Sequence, residues 1–281
     1  MVVWGDSTPR RGKDGTVSWT VIIPVKRLEV AKSRLRGSVA EADHDELVLA
    51  MAMDTVSAAL ASPVVGRVVV VTGDDTAAEA VRGLGAEVIP DVPDAGLNPA
   101  LAYAATLARP KGATASLPGV AALSADLPAL RTEDLTEALR RAEQVGRSPA
   151  GTASSVASPS GTADPVRGFV ADADGTGTVL LAAPPGARLE PCFGAGSAAA
   201  HATSGAVELT GDWPGLRRDV DTAADLAEAI VLGVGPRTGA VATKTALGGA
   251  GFGDPGKGGQ TVKGWPIDSQ PVRGPAGVTG G

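Results

Sequence analysis

With 281 residues and 43% hydrophobic content the chain can bury a substantial core, yet 38 glycines and 21 prolines are too many for one uniformly compact unit. A net charge of -6, from 25 basic and 31 acidic residues dispersed along the chain, leaves no basic stripe to track a phosphate backbone, so no nucleic-acid partner is expected. No stretch is apolar enough to span a bilayer and the first residues lack an apolar leader, which predicts a cytoplasmic protein with no membrane partner. Cys192 is the only cysteine, which excludes an internal disulfide and any multi-cysteine metal site.

Residues 1–18 have no hydrophobic period and read as a disordered lead-in. The β-branched run 19–25, closed by Pro24, reads as a first buried strand. Directly after it come Lys26, Arg27, Lys32, Ser33 and Arg34, where a loop off the carboxyl end of a strand in an open α/β sheet would meet a polyphosphate. Neither a G-x-x-x-x-G-K-[ST] loop nor a dinucleotide fingerprint is present at this point. Apolar residues at helical spacing predict a helix over 41–60, with Glu41, Asp43, Asp45 and Glu46 at its positive end. A strand over 68–72, a helix over 76–84, a strand over 87–90 and a helix over 98–108 follow. The strand over 120–124 then runs out into Asp126, and a helix over 133–145 comes after it. This βαβα rhythm predicts an α/β fold with a mostly parallel mixed sheet flanked by helices.

Between Gly146 and Pro165 the composition falls to Ser, Ala, Gly, Pro and Thr, the pattern of a flexible insertion. Two strands, 168–171 and 179–182, flank an Asp172-to-Thr178 turn that lacks the glutamate of a calcium loop and reads as a hairpin. The stretch 193–201 opens a helix through Gly194, Gly196 and Ser197, and free amides at a helix start suit a carboxylate or phosphate. His201 on that helix reads as structural, or as a support behind the site, rather than catalytic. A short strand at 207–209, a turn at 213–215 and a helix over 225–232 complete the domain, the last introduced by the capping pattern Thr222-x-x-Asp225. Beyond Thr238 the composition predicts a disordered tail over 239–281, so that the folded domain spans 19–238.

An acid just past an apolar strand, Asp126, and a later pair, Asp219 and Asp221, could converge on one or two hard cations such as Mg²⁺. Such a constellation suits phosphoryl or nucleotidyl transfer, in which neutralising crowded negative charge matters more than proton abstraction.

Taken together, Pro24-Val25-Lys26, Ala31 to Leu35, Gly96-Leu97-Asn98, Ser124 to Pro128, Gly175 to Thr178, Phe193 to Ser197 and Asp219 to Thr222 resemble a known family. It is the phosphoenolpyruvate or 2-phospho-L-lactate guanylyltransferase family of deazaflavin coenzyme F-420 biosynthesis, and the likeness runs from about Trp19 to Thr238. It implies a nucleotidyltransferase fold like that of nucleotide-diphospho-sugar transferases, with GTP and a small phosphorylated carboxylic acid as substrates. For the sites it implies Mg²⁺ on Asp126, Asp219 and Asp221, and the acid at Ser197 with the backbone at Thr178 and Gly194. It also implies that Lys26 and Lys32 lie near the nucleotide phosphates, with Ser33, Arg34 and Asn98 on the nucleotide.

The acceptor is open between phosphoenolpyruvate, 2-phospho-L-lactate and 3-phosphoglycerate, with alanine- and arginine-rich usage favouring the first. A molybdenum-cofactor guanylyltransferase is a neighbouring alternative, but the loop after the first strand lacks that family's glycine-rich lead. A non-enzymatic nucleotide-binding scaffold is disfavoured because all three aspartates are present.

Overall fold

The computed structural model describes residues 18–26, 28, 41–91, 95–108, 118–147 and 165–248. Its seven strands are β1 (Trp19–Val25), β2 (Val65–Thr72), β3 (Glu87–Pro90), β4 (Gly119–Leu123), β5 (Gly168–Ala171), β6 (Thr178–Ala183) and β7 (Val207–Glu208). They form one sheet in the order β3-β2-β1-β4-β6-β5-β7. The strands from β3 to β4 are parallel, and β6 alone runs against its neighbours β4 and β5. The expected mixed, mostly parallel sheet is therefore present. The inner strands β1, β4 and β6 are buried almost without break, as a parallel sheet covered on both faces requires.

Helices α1 (Glu41–Ala61), α2 (Asp75–Gly83), α3 (Leu97–Leu107), α4 (Thr132–Arg147), α5 (Ser197–Thr203), α6 (Pro214–Arg217), α7 (Ala223–Leu232) and α8 (Pro236–Gly248) complete the order. Alternate residues of β1 divide between two cores, as the period of a strand demands. Val21, Ile23 and Val25 pack with α1, α2 and α4. Ile22 packs on the other face with α3 and the start of α5. A third cluster, Leu47, Val48, Met51, Ala129, Val220, Leu226, Ala229 and Val241, joins α1, α7 and α8 beneath the loop that follows β4.

Three expectations are corrected. Gly146 is helical, because α4 continues to Arg147; the rest of the anticipated insertion, 148–164, lies outside the described residues. The segment 213–215 is the cap and start of a single helical turn, α6, with Trp213 as the cap and Pro214 at the first position, where a missing N–H costs no hydrogen bond. The largest difference is α8, which covers 236–248 where a disordered tail was expected to begin after Thr238. Buried Asp54 on α1 receives the Thr238 N–H at 2.8 Å and the Arg237 N–H at 3.3 Å, so a residue 183 positions away serves as the helix cap. Thr238 and Val241 are buried against the rest of the fold, and the lead-in 1–17 and the remainder 249–281 lie outside the described residues.

Candidate active site

The carboxyl edge of β1 and β4 brings the first two predicted residues to one level. Ile22 pairs with Ala122, so Lys26 and Asp126 each stand four residues past a paired position on neighbouring strands. Lys26 is exposed and Asp126 is half-buried. The segment carrying Asp126 is held from below: the Leu127 N–H donates to Thr55 Oγ1 at 3.1 Å, and that hydroxyl donates to the Met51 carbonyl at 3.0 Å. Lys32, Ser33 and Arg34 lie outside the described residues.

The later pair of aspartates is tied to the same place through the main chain. The N–H of Val220, fully buried between Asp219 and Asp221, donates to the Asp126 carbonyl at 3.0 Å. Gly215 lets α6 lie close enough for this, since a Cβ there would collide with the Ala129 carbonyl. On the other side the capping box of α7 fixes the chain: Asp225 Oδ2 accepts from the N–H of Asp221 at 3.2 Å, and from the N–H and hydroxyl of Thr222 at 2.8 Å each. Burial raises the pKa of Asp225, but these hydrogen bonds and the Arg218 charge outweigh it and hold the carboxyl below its usual value. Asp219 is half-buried and Asp221 exposed.

A second group of predicted residues meets across β6. Because β6 runs antiparallel to β4, its first residue, Thr178, lies at the carboxyl edge of β4, and the Ser124 N–H extends the ladder to the Val179 carbonyl at 2.9 Å. The turn before it is built on Asp172, whose carboxylate accepts the Thr176 and Gly177 N–H groups, which is the predicted hairpin. The Thr176 carbonyl in turn accepts the Ala198 N–H at 3.1 Å and docks the start of α5 beside Thr178. Gly194 and Gly196 have φ of 135° and 70°, and Gly196, rather than the serine, is the cap of α5. Ser197 is its first residue and is buried.

Side chains from three elements hold the loop before α5. Asn98, at the start of α3, donates through Nδ2 to the Phe193 carbonyl at 2.9 Å and accepts the Phe193 N–H on Oδ1 at 2.8 Å. Buried Arg167 donates to the carbonyls of Leu189, Glu190 and Ser204. His201 accepts the Cys192 N–H on Nε2 at 2.9 Å and places Nδ1 2.9 Å from Thr178 Oγ1. Burial, helped by the Arg167 charge and opposed by a hydrogen bond to the Ser197 backbone, pushes the His201 pKa down to about 4, so the ring is neutral near pH 7. Sequence reasoning missed Val220 and Arg167 as organisers, and no local motif marks either; the Thr222-x-x-Asp225 pattern was visible, but its bearing on Asp221 was not.

Asp126, Asp219 and Asp221 are the residues that could hold a metal. Their donor atoms are all hard carboxylate oxygens, as Mg²⁺ prefers. Among the described residues no three acidic, histidine or cysteine side chains are already gathered as a cage.

Comparison with known proteins is consistent with this geometry. A family model described as guanylyl transferase CofC like matches residues 19–151. A phosphoenolpyruvate guanylyltransferase of Salinispora arenicola is 53% identical over 223 residues, covering 79% of this chain and 92% of the relative. The chain belongs to the CofC-like guanylyl transferase family. A second relative of the same name, from Geodermatophilus obscurus, is 51% identical over 83% of this chain and 95% of its own length. A third, from Streptomyces coelicolor, is 45% identical over 83% of this chain and all of its own length. The fold of the enzyme is shared with a solved structure from Desulfovibrio desulfuricans, described as a candidate nucleotide-diphospho-sugar transferase. That structure matches with a TM-score of 0.57 at 15% identity, over 83% of this chain and 96% of that one. No helix among the described residues is long and apolar enough to cross a membrane.

Proposed function

We propose that this guanylyl transferase joins GMP from GTP to phosphoenolpyruvate in coenzyme F-420 biosynthesis, as a Mg²⁺-dependent enzyme of the cytoplasm. The choice of acceptor is supported by the relatives, each named a phosphoenolpyruvate guanylyltransferase. The mechanism is supported by one observation above the others, the bond from Val220 to the Asp126 carbonyl that ties the segment carrying Asp219 and Asp221 to the segment carrying Asp126.

A phosphate oxygen of the acid attacks the α-phosphorus of GTP, a new P–O bond forms, and the bond from that phosphorus to the bridging oxygen breaks to release pyrophosphate. The second pKa of a phosphomonoester is about 6, so the nucleophile is largely ionised at neutral pH and no general base is required. The protein's task is in-line positioning and charge neutralisation. Asp126, Asp219 and Asp221 would hold Mg²⁺, which when bound offsets charge on the reacting phosphates. Lys26, and Lys32 beyond the described residues, supply further positive charge there. Thr178, Gly194 and Ser197 receive the acid's carboxylate. Helix α5 has only seven residues, so hydrogen bonds rather than a macrodipole would do the holding. Asn98 would reach the nucleotide side through the start of α3 while its amide grips Phe193.

The test is to incubate the protein with GTP, Mg²⁺ and, in turn, phosphoenolpyruvate, 2-phospho-L-lactate and 3-phosphoglycerate, and to measure pyrophosphate. Phosphoenolpyruvate should give the highest kcat/KM. Equal rates with a phosphomonoester that has no carboxylate would refute the acid assignment.

A further inference from the structure

The two nitrogens of His201 are not equivalent, and the difference propagates. An amide N–H can only donate, so the Cys192 N–H requires a bare lone pair on Nε2. In the neutral ring the single proton must then sit on Nδ1. Nδ1 lies 2.9 Å from Thr178 Oγ1 in a buried contact, and its proton is shared between that oxygen and the Ser197 carbonyl; because Nδ1 carries the proton, the Thr178 hydroxyl proton cannot point at the ring.

We propose that His201 is a positioning residue for the acid: by holding this one tautomer between Cys192 and Thr178, it turns the Thr178 hydroxyl into a hydrogen-bond donor aimed away from the ring, toward the carboxylate. The inference rests on the reading that Thr178 and Ser197 receive the acid. The placement favours it. Ser197 and His201 are four residues apart on one face of α5, both buried, and Thr178 lies against that face. The Phe193 ring meets the imidazole edge to face at a centroid distance of 5.2 Å, and the Phe169 ring stands 6.0 Å away, so the imidazole has little freedom to turn. A ring free to flip would put either nitrogen on Thr178 and leave the hydroxyl's polarity undefined.

The experiment compares KM for phosphoenolpyruvate, KM for GTP and kcat in four proteins: the wild type, Thr178→Val, His201→Gln and the double variant. Glutamine can still meet the Cys192 N–H but withdraws the donor from Thr178. Each single variant should raise the acid KM by roughly tenfold, the effect of one hydrogen bond to a charged group, with the GTP KM nearly unchanged. The double variant should be no worse than the poorer single one, because both changes remove the same bond. His201→Asn, whose amide nitrogen can stand where Nδ1 stood, should recover part of the loss. Additive losses, or equal rises in the KM of acid and GTP, would overturn the inference while leaving the guanylyl-transfer reading intact. A wild-type chain that uses acceptors with and without a carboxylate equally well would overturn that reading and this inference with it. Long-range ¹H–¹⁵N NMR of the wild-type imidazole at pH 7 provides a check that needs no variant: Nδ1 should be protonated and Nε2 bare, and the reverse pattern would sink the proposal.

Discussion

Cutting the chain after Thr238 is the sharpest test of the packing beneath the site. Composition alone expects no change, since glycine- and threonine-rich sequence beyond that point has little to bury. The structure predicts a loss. Truncation removes Val241, which is 5% exposed in the cluster shared by α1 and α7. Returning such a side chain and its partners to water costs about 1.5–3 kcal/mol. It also melts the helix that Asp54 caps, leaving a side chain that is 2% exposed with fewer charge-assisted bonds, for roughly another 1 kcal/mol. The Lys244 pairs with Asp43 and Glu46 are exposed and add little. The sum is about 3 kcal/mol, which for a domain of this size lowers Tm by roughly 6–12 °C. Urea unfolding followed by fluorescence of the buried Trp19 and Trp213 measures it directly. A change within about 0.5 kcal/mol, the usual range for surface substitutions, would show that α8 does not hold the fold together, and the account of Asp54 would fall with it.

Three further outcomes are expected. Asp126→Asn, Asp219→Asn and Asp221→Asn should each lower kcat by two orders of magnitude or so with Tm nearly unchanged, because the backbone bond from Val220 to residue 126 survives the substitution; near-normal turnover would remove that residue from the site. Ser197→Ala should raise the acid KM about tenfold to a hundredfold and spare the GTP KM, and a parallel rise in both would place Ser197 elsewhere. Stability should fall as pH drops from 6.5 to 4, because the unfolded His201 takes up a proton near 6.5 while the folded ring resists until about 4. The contribution, present in full above 6.5, amounts to about 3 kcal/mol and should vanish from denaturant titrations of His201→Asn, whereas an unaltered acid slope in that variant would assign the effect to other groups.

The fold was legible where a segment carries its own period. β1, β4 and β6 are runs of β-branched and small apolar residues, buried on both faces, and α1 shows helical spacing with acids at its positive end. Helix α8 was not legible, since what orders it is a carboxylate 184 residues earlier together with an apolar cluster it shares with α1 and α7. Threonine and glycine are poor helix formers in isolation, and only tertiary contact overrides that weakness.

The site divides along the same line. Each carboxylate stood out by type and by its place at a strand end or a helix start, yet what ties the segments of the three scattered aspartates together is a bond from a valine N–H to a main-chain carbonyl, and any residue but proline can donate that bond. Nor does periodicity reveal that β6 runs backwards. Had β6 been parallel to β4, Thr178 would lie at the opposite edge of the sheet, more than a strand length from Asp126, and α5 would carry Ser197 away with it. The reversal brings Thr178 and the start of α5 to the edge of the sheet where Asp126 stands. Asn98 and His201 then do what hairpin and helix alone cannot: they hold the loop between Cys192 and Ser197 in a conformation that two left-handed glycines permit but do not enforce.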